Sequence, residues 1–430
     1  MTLTKLQKPT IAMIGLGYIG IPTALLLAQN GHKVIGVDID EKKIELLQKN
    51  ILPFKEKGLM ELYHSSKNNF FPTSSFKDIQ NAQVYIIAVP TPITPEKFCD
   101  LRYVKSACKS VSEMLEKGDL VVIESTITPS ITKNTLRLIL EESGLICGQE
   151  FSLAYVSEKA IPVDTLKEMQ ENTRVIGGID RFSTQYAKKV YSSFVKGEII
   201  ETDCTTAEAV KLFENTYRDV NIALANEFLK LSKEFNLNVW EVVSIANHHP
   251  RVNIHTPGPG VGGHCIPIDP WFLTIAKETK IIETARKIND SMPKEVVNFV
   301  EKNVSPSKII AILGISYKEN IDDTRESPGL IIGQLLEISG YKVIYCDPYA
   351  SNTTIEIVPL DTAIQLADTA IIITAHKEYK DILFKIEENK TFSSNYCSIN
   401  KIIDTKKCII LKPNNSTKNP EILTFGDYKK

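Results

Sequence analysis

Gly15, Gly17 and Gly20 stand between an apolar run, TIAMI, and an amphipathic one, IPTALLLAQNG, and the next apolar run, KVIGVD, closes on Asp38. Few arrangements accept that order. A strand leads into a turn that only glycine can make, a helix follows, and a second parallel strand ends in an acid about twenty residues after the turn. Gly15 permits the tight turn, Gly17 lets backbone approach a pyrophosphate, and the helix starting near Gly20 offers free N–H groups and a partial positive charge. Tyr18 and Ile19 fill the two positions between Gly17 and Gly20. Taken by itself G-x-G-x-x-G is often a flexible loop, but the strand, helix, strand and acid around it make it a dinucleotide site. Asp38 is expected to accept hydrogen bonds from the adenosine ribose and to repel the 2′-phosphate of NADP, so NAD is the expected cofactor. Lys43 lies beyond the same strand end, either reaching the adenosine side or standing as a solvated helix lysine. VPTP and ESTITPS put Thr91 and Thr126 at the carboxyl edge of the sheet, where cofactors bind in open α/β folds.

The same rhythm of short β-branched runs and amphipathic helices continues through AQVYIIAVP, DLVVIEST and EFSLAYVS, as in βαβ units that build a parallel sheet. From about Thr205 it gives way to one long helix, AEAVKLFENTYRDVNIALANEFLKLSKEF, and a second helical run near VWEVVSIAN. After SPSK the β rhythm returns: KIIAILGISYK, a helix over GLIIGQLLEISG, then YKVIYCDP, whose last acid, Asp347, repeats the place of Asp38. The expected fold is therefore α/β, with two Rossmann-like domains joined by a long helix and a helical central domain. The boundaries fall at 1–203, 204–303 and 304–430. From NNSTKNPEILTF onward the chain is polar and aperiodic, and a frayed tail is expected. The 430 residues carry 50 basic and 52 acidic side chains, well mixed, a balance that attracts neither nucleic acid nor an anionic membrane. The apolar runs are too short to span a bilayer and the start lacks the pattern of a signal peptide, so a cytoplasmic protein acting on a small molecule is expected. Its eight cysteines include no C-x-x-C pair, against zinc ribbons or a disulfide framework.

One cysteine has an unusual setting. TPGPGVGGHCIPIDPWF places glycines at 258, 260, 262 and 263 before Cys265, with Asp269 four residues on and followed by proline. The glycines allow backbone to pack close to a ligand. Asp-Pro reads as an N-cap with a helix over PWFLTIAKE, whose N-terminus would favour the thiolate. A cysteine is more often a buried structural thiol, and the glycine frame with Asp269 shifts the balance toward a nucleophile. On the long helix Phe213, Tyr217, Val220 and Leu224 form an apolar stripe, while Lys211, Asn215 and Arg218 share another face. Such polar stripes are usually solvated, and a ligand would give this one a task.

GLGYIG, AVPTP, EST, AEAVKLFENTYRDVNIALANE, HPRVNI, PGPGVGGHCIPIDP and YKENIDDTRESP resemble, in order and through nearly the whole chain, the motifs of the UDP-sugar 6-dehydrogenase family. The resemblance implies a first Rossmann-like domain for NAD, a last one for UDP, and a dimerising long helix between them. It implies Cys265 as nucleophile and Lys211 as acid/base group, supported by Asn215, Asp269 and Glu158. It also implies that Lys159, Ala160, Lys211, Asn215, Arg218, Gly262, Tyr317, Lys318 and Lys406 hold the UDP-sugar, that His249 and Arg251 reach the neighbouring subunit's substrate, and that Arg325 touches NAD. A homodimer or higher homo-oligomer follows. The departure is YVSEKAIP at 155–162, where the family shows PER and, after a small residue, Pro-Gly: Ser157 replaces Pro, Lys159 replaces Arg and Val163 replaces Gly. Lysine is a point charge, not a bidentate fork.

The chemistry so implied is a four-electron oxidation of the sugar C6 hydroxyl to a carboxylate through a Cys265 thiohemiacetal and thioester, supplying uronates for surface polysaccharide. HPRVNI and DPWF resemble the subgroup acting on UDP-N-acetyl-D-mannosamine. UDP-N-acetylglucosamine or UDP-glucose is the alternative. A two-electron hydroxy-acid dehydrogenase, which needs no cysteine, and a redox-sensing NAD-binding protein are more distant readings.

Overall fold

The computed structural model describes residues 8–54, 56–159, 164–276, 278–351, 353–383, 386, 398–409 and 420–429. The chain divides into two compact units, Met1–Glu214 with Trp271–Ile275, and Asn215–Pro270 with Ala276–Lys430.

The first unit is built on β1 (Ile11–Ile14), β2 (Val34–Val37), β3 (Phe70–Thr73), β4 (Val84–Ile87), β5 (Leu120–Ile123), β6 (Ser152–Ser157), β7 (Arg174–Gly178) and β8 (Ile199–Asp203). They form one sheet in the order β3-β2-β1-β4-β5-β6-β7-β8. All neighbours are parallel except β6 and β7. IAMI, VYII and LVVI are apolar at every position because helices cover both faces. Alternate residues serve opposite cores: Ile11 and Met13 pack with Leu25 and Leu27 of α1 (Gly20–Gln29), while Ala12 and Ile14 pack with Val104 and Val111. The order reverses between β1 and β4, which opens a crevice at their carboxyl ends.

The long helix α2 (Cys204–Glu234) forms as expected, with no glycine or proline inside it. In the second unit its later turns, α3 (Val239–Ala246) and α5 (Lys280–Asn303) pack through Leu229, Trp240, Val243, Val296 and Val300 onto a five-stranded sheet. A one-turn helix, α4 (Asp269–Leu273), lies between α3 and α5 in sequence. The sheet, all parallel, consists of β9 (Ile309–Leu313), β10 (Lys342–Cys346), β11 (Thr369–Ile372), β12 (Lys401–Asp404) and β13 (Glu421–Thr424) in the order β10-β9-β11-β12-β13, with α6 (Pro328–Ile338) after β9. Two α/β units with Rossmann-like sheets are thus the architecture.

Two expectations fail. The C-terminal segment does not fray over residues 420–429, the part of it that is described, NNSTKN lying outside the described residues: Glu421–Thr424 pairs with β12, Phe425 is buried, and the Trp240 indole N–H donates to its carbonyl at 2.8 Å. The strand's partner is supplied from elsewhere in the chain, so its polar, aperiodic sequence gave no local sign of it. The helix expected over PWFLTIAKE stops at Leu273 after one turn. Asp269 is its first residue and not a flanking cap. So short a helix has little dipole to lend, and the argument that its N-terminus activates Cys265 falls with it.

Candidate active site

The carboxyl edge of the first sheet carries the glycine turn. Gly15 has φ +94°, and a Cβ there would lie 2.4 Å from the Ala88 carbonyl oxygen. A Cβ on Gly20 would overlap the Gly15 carbonyl oxygen at 1.8 Å, so neither position accepts a side chain. Gly17 differs: nothing lies within 4 Å of its Cβ position. Its backbone borders open space, as a turn that receives a ligand requires. Tyr18 stacks on Phe54 at 4.3 Å, half-buried Ile19 precedes α1, and the first turn of α1 holds no acid to cancel its free N–H groups. Asp38 accepts the Leu16 N–H at 2.8 Å and the Lys43 ammonium at 2.6 Å, both on Oδ2. The open cradle at Gly17 and the acid at the second strand end fit a dinucleotide with free ribose hydroxyls.

Thr91 and Thr126 meet directly, the Thr91 hydroxyl donating to the Thr126 carbonyl at 2.7 Å. Beside them Ser125, unremarked in the sequence, accepts the Val89 N–H at 2.9 Å and donates to the Val89 carbonyl at 2.8 Å, stitching the ends of β4 and β5 together.

Glu124 and Glu158 follow the ends of β5 and β6 and are 3% and 2% exposed. The Tyr191 hydroxyl donates to Glu124 at 2.8 Å, and Arg174 stands 3.9 Å from the same oxygen. Burial pushes Glu124 up to about 7; Arg174, the Tyr191 hydroxyl and Lys211 oppose the shift, and the charge of Glu158 adds to it. Lys211, 8% exposed on α2, therefore belongs to a buried cluster with two carboxylates. Nothing in the sequence singled out Glu124, whose partners lie about fifty residues or more away along the chain. Lys159 is fixed by an ion pair to Glu214 at 2.6 Å. Ala160, Pro162 and Val163 lie outside the described residues.

In the second unit the glycine run folds against the segment after β9. A Cβ on Gly262 would lie 2.6 Å from the Glu326 carbonyl oxygen, and one on Gly263, at φ +92°, would lie 2.8 Å from the Tyr317 ring. The Gly263 N–H donates to the Arg325 carbonyl at 3.0 Å. Earlier in the run the Gly258 N–H donates to Asn226 at 2.9 Å, and Asn226 leads through Asn289 to the buried Asp219 and Arg286 pair.

Cys265 is exposed. Its carbonyl accepts the N–H groups of Ile268 at 3.0 Å and Asp269 at 2.8 Å, a tight turn that brings Asp269 back under the cysteine. Asp269 is 3% exposed and receives Asn215 Nδ2 at 2.7 Å. Tyr317 is half-buried; burial pushes it up to about 12, with the charges of Asp323 and Cys265 adding and those of Arg325 and Arg218 opposing. Cys265, Asp269, Asn215, Gly262, Tyr317, Arg218 and Arg325 are thus one neighbourhood.

Lys318 and Arg218 are exposed, and Arg325 is held in a fork on Asp323 at 2.6–3.1 Å. Half-buried Lys406 puts its ammonium 3.0 Å from the Gly258 Cβ position, and burial lowers its pKa. His249 and Arg251 occupy an exposed turn after α3, where the Arg251 N–H donates to His249 Nδ1 at 3.3 Å.

The other described cysteines contrast with Cys265. Burial pushes Cys108, Cys147 and Cys408 up to about 12 and Cys204 up to about 11, which keeps them thiols. Among the described residues no helix is long and apolar enough to cross a membrane, and no cluster could hold a metal ion.

Comparison with known proteins gives consistent results. Residues 9–195 match the NAD binding domain of the UDP-glucose/GDP-mannose dehydrogenase family, 205–291 its central domain, and 311–410 its UDP binding domain. A UDP-N-acetyl-D-mannosamine dehydrogenase of Methanocaldococcus jannaschii is 43% identical over 99% of this chain and 100% of its own. The solved structure of a UDP-D-ManNAc dehydrogenase from Pyrococcus horikoshii superposes with a TM-score of 0.87 at 38% identity, covering 97% of this chain and 99% of that one. The UDP-N-acetyl-mannosamine dehydrogenase Cap5O of Staphylococcus aureus gives the same TM-score and coverage at 36% identity.

Proposed function

Because the chain belongs to the UDP-glucose/GDP-mannose dehydrogenase family, we propose that it oxidises the C6 hydroxyl of UDP-N-acetyl-D-mannosamine to the carboxylate, with Cys265 as covalent nucleophile and NAD as oxidant. The choice of sugar rests on the near full-length likeness to enzymes of that name. The observation that carries the chemistry is the exposed Cys265 at the head of a glycine-framed turn, over an Asp269 held by Asn215, in a chain whose other described thiols are buried or half-buried.

Going from alcohol to acid removes two hydrides, and a free aldehyde between them would escape. Bound NAD supplies the hydride acceptor in each round. The Cys265 sulfur attacks the aldehyde carbon, a C–S bond forms and the oxygen takes a proton, giving a thiohemiacetal. Loss of the second hydride leaves a thioester, and water then breaks the C–S bond, releasing the carboxylate and the thiol. Lys211 and Asn215 stabilise negative charge on the sugar oxygen, and Glu158 or Asp269 takes a proton from the attacking water.

In this reading Gly15, Gly17, Tyr18, Ile19, Gly20, Asp38, Lys43, Thr91, Thr126 and Arg325 hold NAD. Lys159, Ala160, Arg218, Gly262, Tyr317, Lys318 and Lys406 hold the UDP-sugar, and the domains divide at 203 and 303. A homodimer is supported by the exposure of Phe213, Tyr217, Leu224 and Leu231 along α2, at 62%, 61%, 43% and 45%, while Lys211 on the same helix is buried. Such an inverted helix suits a partner's apolar face, and His249 and Arg251 would then reach the second copy's substrate. The cytoplasm, where nucleotide sugars and NAD are both available, is the compartment proposed.

NADH yield across a panel of UDP-sugars tests the proposal. Two NADH per molecule and the highest kcat/KM with UDP-N-acetyl-D-mannosamine are expected. A better UDP-N-acetylglucosamine or UDP-glucose substrate would reassign the sugar, one NADH per molecule would replace the mechanism by a two-electron oxidation, and no turnover of any would leave only an NAD-binding protein.

A further inference from the structure

The two sheets repeat one another residue by residue around their crevices. Ile14 pairs with Val37 on one side and Ile87 on the other; Leu313 pairs in the same way with Cys346 and Ile372. Counting on from those pairs, Gly314, Asp347 and His376 stand where Gly15, Asp38 and Thr91 stand in the first sheet. The two glycines share the same backbone conformation, φ +92° and +94°.

The two acids differ in what surrounds them. Asp38 sits at the rim with Lys43, whereas the Asp347 side chain is wholly buried and its oxygens are consumed internally. Oδ2 accepts the N–H groups of Ile315 and Ser316, both at 2.8 Å, and His376 Nε2 at 3.0 Å; Oδ1 accepts those of Tyr349 and Ala350 at 2.8 and 2.9 Å. An acid so engaged is a staple, not a ribose acceptor.

His376 completes the staple. Its Nδ1 accepts the Asn320 N–H at 2.9 Å, so the ring proton lies on Nε2 and is donated to Asp347. The Thr374 hydroxyl donates to the Ser316 carbonyl at 2.6 Å, and the Lys377 N–H to the Asn320 side-chain oxygen at 3.2 Å. Both ends of the 315–320 turn are thereby pinned, and Asn320 is kept at φ +61°, a conformation that needs such support. Between the pins are Tyr317 and Lys318. Tyr317 in turn lies against Gly262 and Gly263, three and two residues before Cys265.

Resting on the functional reading above, we propose that His376, with Asp347 and Thr374, is a positioning group that sets the 315–320 turn and through it the grip of Tyr317 and Lys318 on the nucleotide sugar. It touches no reacting atom. Its demands are specific: one nitrogen must accept from Asn320 while the other donates to Asp347, which no other side chain of that shape does. The ring is steadied by Tyr349 at 5.0 Å and Tyr379 at 5.5 Å. Lys377 and Glu378, which follow His376 in sequence, engage the Tyr349 ring and hydroxyl.

The test uses the full-length protein with two readouts, the Kd of UDP alone by calorimetry and the separate KM values for UDP-sugar and NAD. Thr374→Val keeps the shape and removes the Ser316 anchor; His376→Phe keeps a ring and removes both nitrogens. Loss of these buried hydrogen bonds is expected to weaken UDP binding and raise the sugar KM about tenfold, with the NAD KM within about twofold of wild type. Equal rises in both KM values would mean a general structural defect and overturn the proposal, as would an unchanged Kd for UDP in Thr374→Val. Should His376→Phe fail to fold, Thr374→Val decides. UDP binding needs no turnover, so an enzyme that binds UDP but oxidises no UDP-sugar would sink the functional reading while this one is still judged. A wild-type chain that does not bind UDP overturns both.

Discussion

Asn215 donates through Nδ2 to Asp269 Oδ2 at 2.7 Å, and Asp269 donates its backbone N–H to the Cys265 carbonyl at 2.8 Å. A residue of the long helix thus fixes the carboxylate under the cysteine turn. Asn215→Asp puts two carboxylates where one amide and one carboxylate now meet, and like charges at that range raise one pKa strongly. The expected outcome is a kcat that falls as pH rises through the neutral range and recovers partly on acidification. Asn215→Ala should lower kcat about a hundredfold at every pH, as the loss of an oriented donor does. A kcat against pH curve for Asn215→Asp that superposes on the wild type would discard the role.

Asp38 and Lys43 form a pair at the rim of the glycine turn, 2.6 Å apart. NAD is expected to be strongly preferred over NADP because the carboxylate occupies the side on which a 2′-phosphate would fall. Asp38→Ala removes that repulsion and leaves the Lys43 ammonium as a phosphate partner, so the ratio of kcat/KM values should shift toward NADP by at least about tenfold, or ~1.4 kcal/mol. A ratio unmoved by the substitution would put the discrimination elsewhere.

What could be read in the sequence was what local sterics and periodicity dictate. Gly15 and Gly20 admit no Cβ, α2 has nothing to interrupt it, and Asp38 and Asp347 close equivalent strands; each fact lies within a few dozen residues. What escaped depends on partners outside the local run of sequence. The strand Glu421–Thr424 exists because β12 offers it an edge. Glu124 became notable only through Tyr191, 67 residues away, and the internal engagement of Asp347 only through His376, 29 residues on. PWFLTIAKE failed for a nearer reason: β-branched Thr274 and Ile275 follow the first turn and lower the helix propensity there.

Glu124 gives the protein a pH-dependent stability. Burial pushes its carboxyl from 4.5 up to about 7, so the folded chain keeps a proton that the unfolded chain releases. Its contribution is therefore present in full below pH 4.5 and is lost as pH rises through about 7. Glu124→Gln retains an acceptor for Tyr191 and cannot ionise. Relative to wild type it should gain stability between acid and mildly alkaline pH, with an upper limit of about 3 kcal/mol. Thermal unfolding of both proteins across that range measures it, and parallel Tm curves would count against the buried, proton-holding carboxyl.

The last prediction concerns Cys265, because it separates covalent oxidation from every two-electron dehydrogenase. An intermediate held as a thioester means that the wild-type protein should release two NADH for each sugar acid and no free aldehyde. Cys265 is exposed at its turn, so Cys265→Ala removes a thiol without opening a cavity, and the fold and NAD binding should survive. Acid formation should not. None of Cys108, Cys147, Cys204 or Cys408 can replace it, since burial holds each of them as a thiol. Cys265→Ser keeps the geometry with a far weaker nucleophile, so it should stall before or at an ester that hydrolyses slowly. Product mass spectrometry alongside NADH yield in single turnover distinguishes these cases. Uronic acid made by Cys265→Ala at a rate within about tenfold of wild type, about 1.4 kcal/mol in barrier, would rule out the covalent route and return Cys265 to the ordinary status of an exposed thiol.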